Sequence, residues 1–132
     1  MTPYSGRTWP KRARVGGHVS AGHDGRSTMT TRRRLLVGGA LDPGGRTRLG
    51  TWLRENTTNR DTFRAGLPAD WTVADKTGSG GYGTRNDVGV AWTAAGTPIV
   101  LAVFTTHADA GAGPDNALVA AAAAHLAARC AD

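Results

Sequence analysis

Lys76-Thr77-Gly78 sets a cation, a hydroxyl and a bare stretch of backbone in consecutive positions, inside the run Trp71-Thr-Val-Ala-Asp-Lys-Thr-Gly-Ser-Gly-Gly-Tyr-Gly-Thr-Arg-Asn-Asp87. The run reads as a strand, a glycine-rich turn and a second strand that opens on Arg85. Alternation along the first strand sends Lys76 and Gly78 to one face and Thr77 and Ser79 to the other. On an edge strand, unpaired backbone N–H groups are free to bind a substrate. Gly78 and Gly80 keep side chains away, so a ligand can approach the main chain. The Ser79 N–H then suits one half of an oxyanion hole, where a single donor contributes roughly 2.7–4 kcal/mol of transition-state stabilisation. Lys76 supplies a positive charge that lowers the pKa of a hydroxyl proton shuttle or attracts an anion. Arg85, reaching back across the hairpin, gives a planar fork for a carboxylate. Together they suit an anionic substrate with a carbonyl to polarise. They bind and stabilise, but none is an obvious nucleophile. Each residue also has a plain structural reading: Gly-Ser-Gly-Gly is an ordinary turn, and Arg85 a solvated strand-end charge.

The elements around the hairpin follow from local patterning. Asp42-Pro43 is a helix start, with Asp as N-cap and Pro at the first helical position. Leu49, Trp52 and Leu53 at i, i+3, i+4 give that helix an apolar face, and it ends near Arg54 or Glu55 before Asn56-Thr-Thr-Asn59. Phe63 and Leu67 fall in a loop closed by Pro68. Strands are expected over Thr72–Thr77, Arg85–Trp92 and Ile99–Thr106. In the second, Val88, Val90 and Trp92 share one face and Asp87, Gly89 and Ala91 the other. Gly80-Gly81 and Ala94–Pro98 are hairpin turns. Pro114 opens an alanine-rich helix to about Arg129, with Leu118, Ala122, His125 and Leu126 placed to lie on the sheet. The fold class is α/β of the α+β type: an antiparallel three-stranded meander, a helix before it, and a final helix packed on it.

The amino-terminal third differs in composition. The net charge of the 132-residue chain is +6. Residues 1–42 hold eight basic and two acidic groups, whereas residues 43–132 hold eight of each. Residues 1–30 show neither a strand nor a helix period, so an irregular or disordered segment is expected there, with solvated His18 and His23 rather than a metal pair. The boundary is drawn between a basic tail, 1–32, and a folded portion, 33–132. Basic tails bind phosphate through counterion release, but no aromatic interleaving or reading motif accompanies this one. Thr31-Arg-Arg-Arg-Leu-Leu36 looks like a twin-arginine export signal. The apolar stretch that follows is short and stops at Asp42-Pro43, so the segment reads instead as a helix end, with Leu35, Leu36 and Leu41 toward a core. No apolar run reaches membrane-span length. Cys130 is the only cysteine, so no internal disulfide is expected.

The longer pattern resembles the class A serine β-lactamases. Its carriers are Arg64-Ala-Gly-Leu-Pro68, Trp71, Asp75-Lys-Thr-Gly-Ser-Gly80, Tyr82-Gly-Thr-Arg-Asn-Asp87, Val90 and Trp92. Leu41, Arg46 and Leu49-Gly-Thr-Trp-Leu53 are similar to the preceding helix of that family, and Pro98–Thr105 with the alanine-rich helix to its last strand and helix. The likeness covers about residues 33–132. Penicillin-binding transpeptidases share the Lys-Thr-Gly strand, but Arg-Ala-Gly-Leu-Pro and Tyr-Gly-Thr-Arg-Asn-Asp favour the β-lactamases. The resemblance implies that Lys76 assists proton transfer beside a Ser-Asp-Asn loop. It implies that Ser79 gives its N–H to the oxyanion hole, and that Thr77 and Arg85 bind the β-lactam carboxylate beside Gly78. It implies a β-lactam substrate and a role in antibiotic resistance, with no cofactor or metal. The family is secreted or periplasmic, but no export signal is recognised in this chain, so its localisation is left open.

Two parts of that family's machinery are missing from the sequence. The attacking serine belongs to Ser-x-x-Lys and the base to Glu-x-x-Leu-Asn. None of Ser5, Ser20, Ser27 and Ser79 has Lys three residues on, and Ser-Asp-Asn does not occur. Glu55 stands in Glu-Asn-Thr-Thr-Asn59 with similar spacing, but at a helix end where a surface charge is the expected reading. Residues 1–24 resemble no part of the family, which suggests another reading frame or a misassigned start. The expectation is therefore a carboxy-terminal portion with the binding half of a site, inactive alone. Open sheet edges and an uncovered apolar face would make it poorly soluble. The alternative is a non-catalytic α/β module whose basic tail binds nucleic acid or a partner. Thr58-Asn59-Arg60-Asp61, where the family more often turns through Thr-Gly, is expected to touch no catalytic group.

Overall fold

A computed structural model describes residues 25–130. The segment 1–24, with His18 and His23, lies outside the described residues. The elements run α1 (Gly25–Leu36), α2 (Pro43–Glu55), α3 (Phe63–Gly66), β1 (Thr72–Ser79), β2 (Arg85–Trp92), β3 (Pro98–Thr105) and α4 (Asn116–Cys130). The strands form an antiparallel meander in the order β1-β2-β3. Its register pairs Lys76 with Val88, Thr77 with Asp87, Ser79 with Arg85 and Val90 with Val100.

Helices cover both faces of this sheet, where an uncovered face was expected. On one side α1 and α2 bring Leu36, Leu49 and Leu53 against Ala74, Val90, Trp92 and Val100. On the other, α3 and α4 bring Phe63, Leu67, Val119, Ala123 and Ala127 against Val73, Ala91, Leu101 and Val103. The expected face alternation of β2 therefore holds: Val90 and Ala91 feed opposite cores.

Four local expectations are corrected. Residues 25–30 are helical, not irregular: α1 turns Met29, Arg32, Leu35 and Leu36 inward. With one apolar residue before Arg32, that stripe left no readable period. Thr31 returns its hydroxyl to the Ser27 carbonyl at 3.0 Å, as hydroxyl residues do inside helices. In α2, Asp42 accepts from the Gly45 N–H as the expected N-cap, but Trp52 is 64% exposed. Leu49, Gly50 and Leu53 carry the buried stripe, and Trp52 stands at its far edge. Phe63 opens a one-turn helix instead of sitting in a loop, and it is fully buried. In α4 the inward residues are Val119, Ala123 and Ala127, at i, i+4 and i+8. Ala122 and Leu126 flank them, while Leu118 and His125 face solvent. Asp115, one residue after the expected opener Pro114, caps the helix through the Leu118 N–H at 2.8 Å.

Two glycines permit close approaches. A side chain on Gly66 would collide with the Ala120 carbonyl of α4, so its absence lets α3 and α4 meet backbone to backbone. A Cβ on Gly89 would lie 2.6 Å from the Asp75 Cα and Cβ across the ladder.

Candidate functional site

The β1–β2 turn that positions the site is centred on Tyr82-Gly83, not on Gly80-Gly81. Both central residues have φ +59, and the Thr84 N–H donates to the Gly81 carbonyl at 3.2 Å. Positive φ at both positions gives the turn a twist that matches its strands, and the Gly80 N–H donates to the Thr84 carbonyl at 3.2 Å, so residues 81–83 make a three-residue loop. It sets Ser79 opposite Arg85 at the mouth of the hairpin.

β1 is an edge strand, and the segment between α2 and α3 lies along it. The Asn56 side-chain amide donates to the Asp75 carbonyl at 2.6 Å. That carbonyl therefore points away from β2. Backbone groups alternate in direction along a strand, so those of Thr77 and Ser79 also point to the open side. Further along, Thr58 meets the end of β1. Its hydroxyl is 3.0 Å from the Thr77 hydroxyl, and Lys76 Nζ donates to it at 3.4 Å and to the Thr77 carbonyl at 2.9 Å. The Arg85 guanidinium donates to Ser79 Oγ at 2.7 Å and to the Thr58 carbonyl at 3.1 Å. Gly78 has nothing within 4 Å of where a side chain would start.

The structure thus gathers Lys76, Thr77, Ser79 and Arg85 at one end of the β1 edge, with Gly78 open beside them. Thr77 is nearly buried, and Lys76, Gly78 and Ser79 are exposed. Thr58 is the residue that the sequence reading placed away from the site. It bonds to three of the four groups, so the turn at 58–61 bears on the site directly. The signal was present in Asn56-Thr-Thr-Asn59, a polar cluster that a helix end alone does not require.

Behind the cluster, on the α3 side of the sheet, lies a second group of polar residues. Asn59, Thr62, Asp75 and Asp87 are all fully buried. The Asn59 amide donates to Asp75 Oδ1. The Thr62 hydroxyl and the Phe63 N–H donate to Asp87 Oδ2 at 2.6 and 3.2 Å. Burial pushes the Asp75 carboxyl up to about 7, and the nearby Asp87 charge adds to the rise. Both aspartates stand within the motif run, where their spacing alone assigns neither a role. Away from both groups, Arg54, Arg64, Leu67, Pro68, Trp71 and Thr72 line an open surface cleft of about 290 Å³ at the start of β1. Among the described residues, no helix is long and apolar enough to cross a membrane.

Residues 25–130 match the model of the β-lactamase enzyme family. The chain is 50% identical over 111 residues to a β-lactamase of Streptomyces albus G, covering 84% of this chain and 35% of that protein. It is 49% identical over 117 residues to a β-lactamase of Streptomyces lavendulae, covering 83% of this chain and 38% of that one. Solved structures agree. The Streptomyces albus G β-lactamase superposes with a TM-score of 0.74 at 51% identity, over 76% of this chain and 38% of the other. A β-lactamase from Desulfarculus baarsii gives 0.76 at 43% identity, over 79% of this chain and 39% of the other. The chain spans a little over a third of the length of these relatives. Over that span, in sequence and in fold alike, it belongs to the β-lactamase enzyme family.

Proposed function

We propose that this chain carries the substrate-carboxylate and oxyanion half of a β-lactam-hydrolysing site, and that it does not turn over substrate alone. The observation that carries this reading is the convergence of Lys76, Thr77, Ser79 and Arg85 on the open end of β1. The Arg85 fork, now held by Ser79 Oγ and the Thr58 carbonyl, pairs with a substrate carboxylate. The Thr77 hydroxyl bonds the same group. Open space at Gly78 lets the lactam lie against the backbone, with its carbonyl oxygen toward the outward Ser79 N–H. As negative charge grows on that oxygen, a fixed N–H stabilises it more than it stabilises the ground state. Lys76 contributes positive charge beside the reacting centre and lowers the cost of moving a proton there.

Attack on the carbonyl requires a nucleophile and a base, and this sequence has neither Ser-x-x-Lys nor Glu-x-x-Leu-Asn. Binding groups without them orient a substrate but offer no covalent route. The test pairs binding with turnover. In an NMR titration with a penicillin, amide signals of Thr77, Ser79 and Arg85 should shift together, and Arg85→Ala should weaken binding at least tenfold. Hydrolysis of a chromogenic cephalosporin should stay at the uncatalysed rate. Turnover that disappears in Lys76→Ala would defeat the claim of inactivity; binding indifferent to Arg85→Ala would defeat the carboxylate assignment.

A further inference from the structure

The buried side chains behind β1 pose an accounting problem that the substrate site does not use. Asp75 Oδ2 and Asp87 Oδ1 are both inaccessible to solvent, and neither has a hydrogen-bond donor. The other oxygen of each is occupied: Asp75 Oδ1 by the Asn59 amide, Asp87 Oδ2 by Thr62 and the Phe63 N–H. An unsatisfied buried oxygen is destabilising, and more so if it is charged. Asp75 pairs with Gly89 and Asp87 with Thr77, so the two carboxyls are diagonal neighbours on one face of the β1–β2 ladder. Two ionised carboxylates repel at that range and neither can donate. One proton between them satisfies both orphaned oxygens and leaves a single negative charge.

The charges facing the pair from each neighbouring element do not offer another solution. On α3, Arg64 is close enough to favour ionisation of Asp75, but it donates through Nη2 to the Arg54 carbonyl and makes no hydrogen bond to either carboxyl. On β1 and β2, Lys76 and Arg85 are turned to the edge and held by Thr77, Thr58 and Ser79. β3 opposes Asp87 with Val103. α4 presents Val119 and Ala123 to this side, and its His125 and Arg129 are exposed. α1 and α2 pack on the other face of the sheet.

The geometry points to Asp75 and Asp87 as a positioning pair that shares one proton and, in that state, clamps residues 59–63 to the sheet so that Thr58 meets Thr77, Lys76 and Arg85. Asn59 and Thr62 are the clamp's fingers, one on each carboxyl, and Thr58 immediately precedes Asn59. Losing the proton leaves two adjacent buried charges, which separate or draw in water and release Thr58. The pair then sets the shape of the carboxylate pocket without touching a ligand. Its relevance to substrate rests on the function proposed above; its existence does not.

The experiment uses the full chain without any β-lactam, so its outcome is independent of the functional reading. Infrared spectra at about pH 5.5 should show the carbonyl stretch of one protonated carboxylic acid, lost in Asp75→Asn and in Asp87→Asn. On raising the pH, that band should fade while the NMR amide signals of Thr58 and Thr77 move with the same midpoint. In Asp75→Asn those two signals should no longer titrate. The unmodified chain alone decides the matter if the variants fail to fold. Absence of the acid band would overturn the shared proton. A band that titrates while Thr58 and Thr77 stay still would overturn the positioning role.

Discussion

Asp75 ties the interior of this small domain to pH. Its carboxyl is pushed from 3.8 to about 7 by burial and by Asp87. Between those values the folded chain holds a proton that the unfolded chain has released. Folding therefore favours low pH here: the stabilisation is complete below about pH 4 and is lost as pH rises through about 7. The interval between 3.8 and about 7 is wide enough for this dependence to appear in a stability profile. The urea midpoint should therefore fall between about pH 5 and pH 8, and Asp75→Asn should flatten the profile; a midpoint that rises over this range would contradict the assignment. At this scale the sequence showed one half of the polar architecture. Lys76, Thr77, Ser79 and Arg85 were legible because a single hairpin, closed by a tight turn, fixes their spacing. Thr58, Asn59 and the Asp75–Asp87 contact were not, because they depend on how the segment after α2 wraps round the edge of β1. No local period encodes that path.

Among the elements, the strands and the α2 cap were readable, since alternation and Asp42-Pro43 are strong local signals. The helices were readable in place but not in facing. Alanine-rich α4 offers almost any face as apolar, so the sequence pointed to Leu118 and His125, while packing chose Val119, Ala123 and Ala127. The choice follows from Gly66, whose bare Cα seats the Ala120 carbonyl. α3 was invisible because a single turn is too short to show a period. Yet it anchors the core: Phe63 is the largest fully buried side chain, and its N–H holds Asp87. Phe63→Ala should cost about 3–5 kcal/mol, the usual range for emptying a large aromatic site. It should also loosen Thr62 and the acid pair, so amide exchange at 59–63 should quicken before the strands open. Equal quickening in β2 and in this segment would mean that α3 is not an independent fastening. Gly66→Ala tests the helix contact separately, with about 1–3 kcal/mol expected from overpacking.

At the scale of the whole molecule, helices on both faces remove one of the two reasons for expecting poor solubility and leave the other. Among the described residues the β1 edge is lined by residues 56–59, whereas β3 ends the sheet. The direction of its backbone follows from the ladder. Asp75 points outward, so its partner Gly89 turns toward β3, and Leu101 opposite turns inward. Val100, Ala102 and Phe104 therefore hold their N–H and C=O groups to the open side. Pro98–Thr105 carries no charged residue, and Phe104 is 45% exposed. Such an edge lacks the lysines and bulges that keep strands from pairing with their like. Two copies meeting antiparallel about Ala102 would set Val100 opposite Phe104, a favourable aromatic–β-branched pair. Sedimentation should show association that grows with concentration, and Phe104→Lys should suppress it without lowering the melting temperature, because the side chain is already half in water. If the unmodified chain sediments as a monomer at high concentration and melts in one sharp transition, the β3 edge is not adhesive, and the helices flanking it shield more of the strand than its exposure implies.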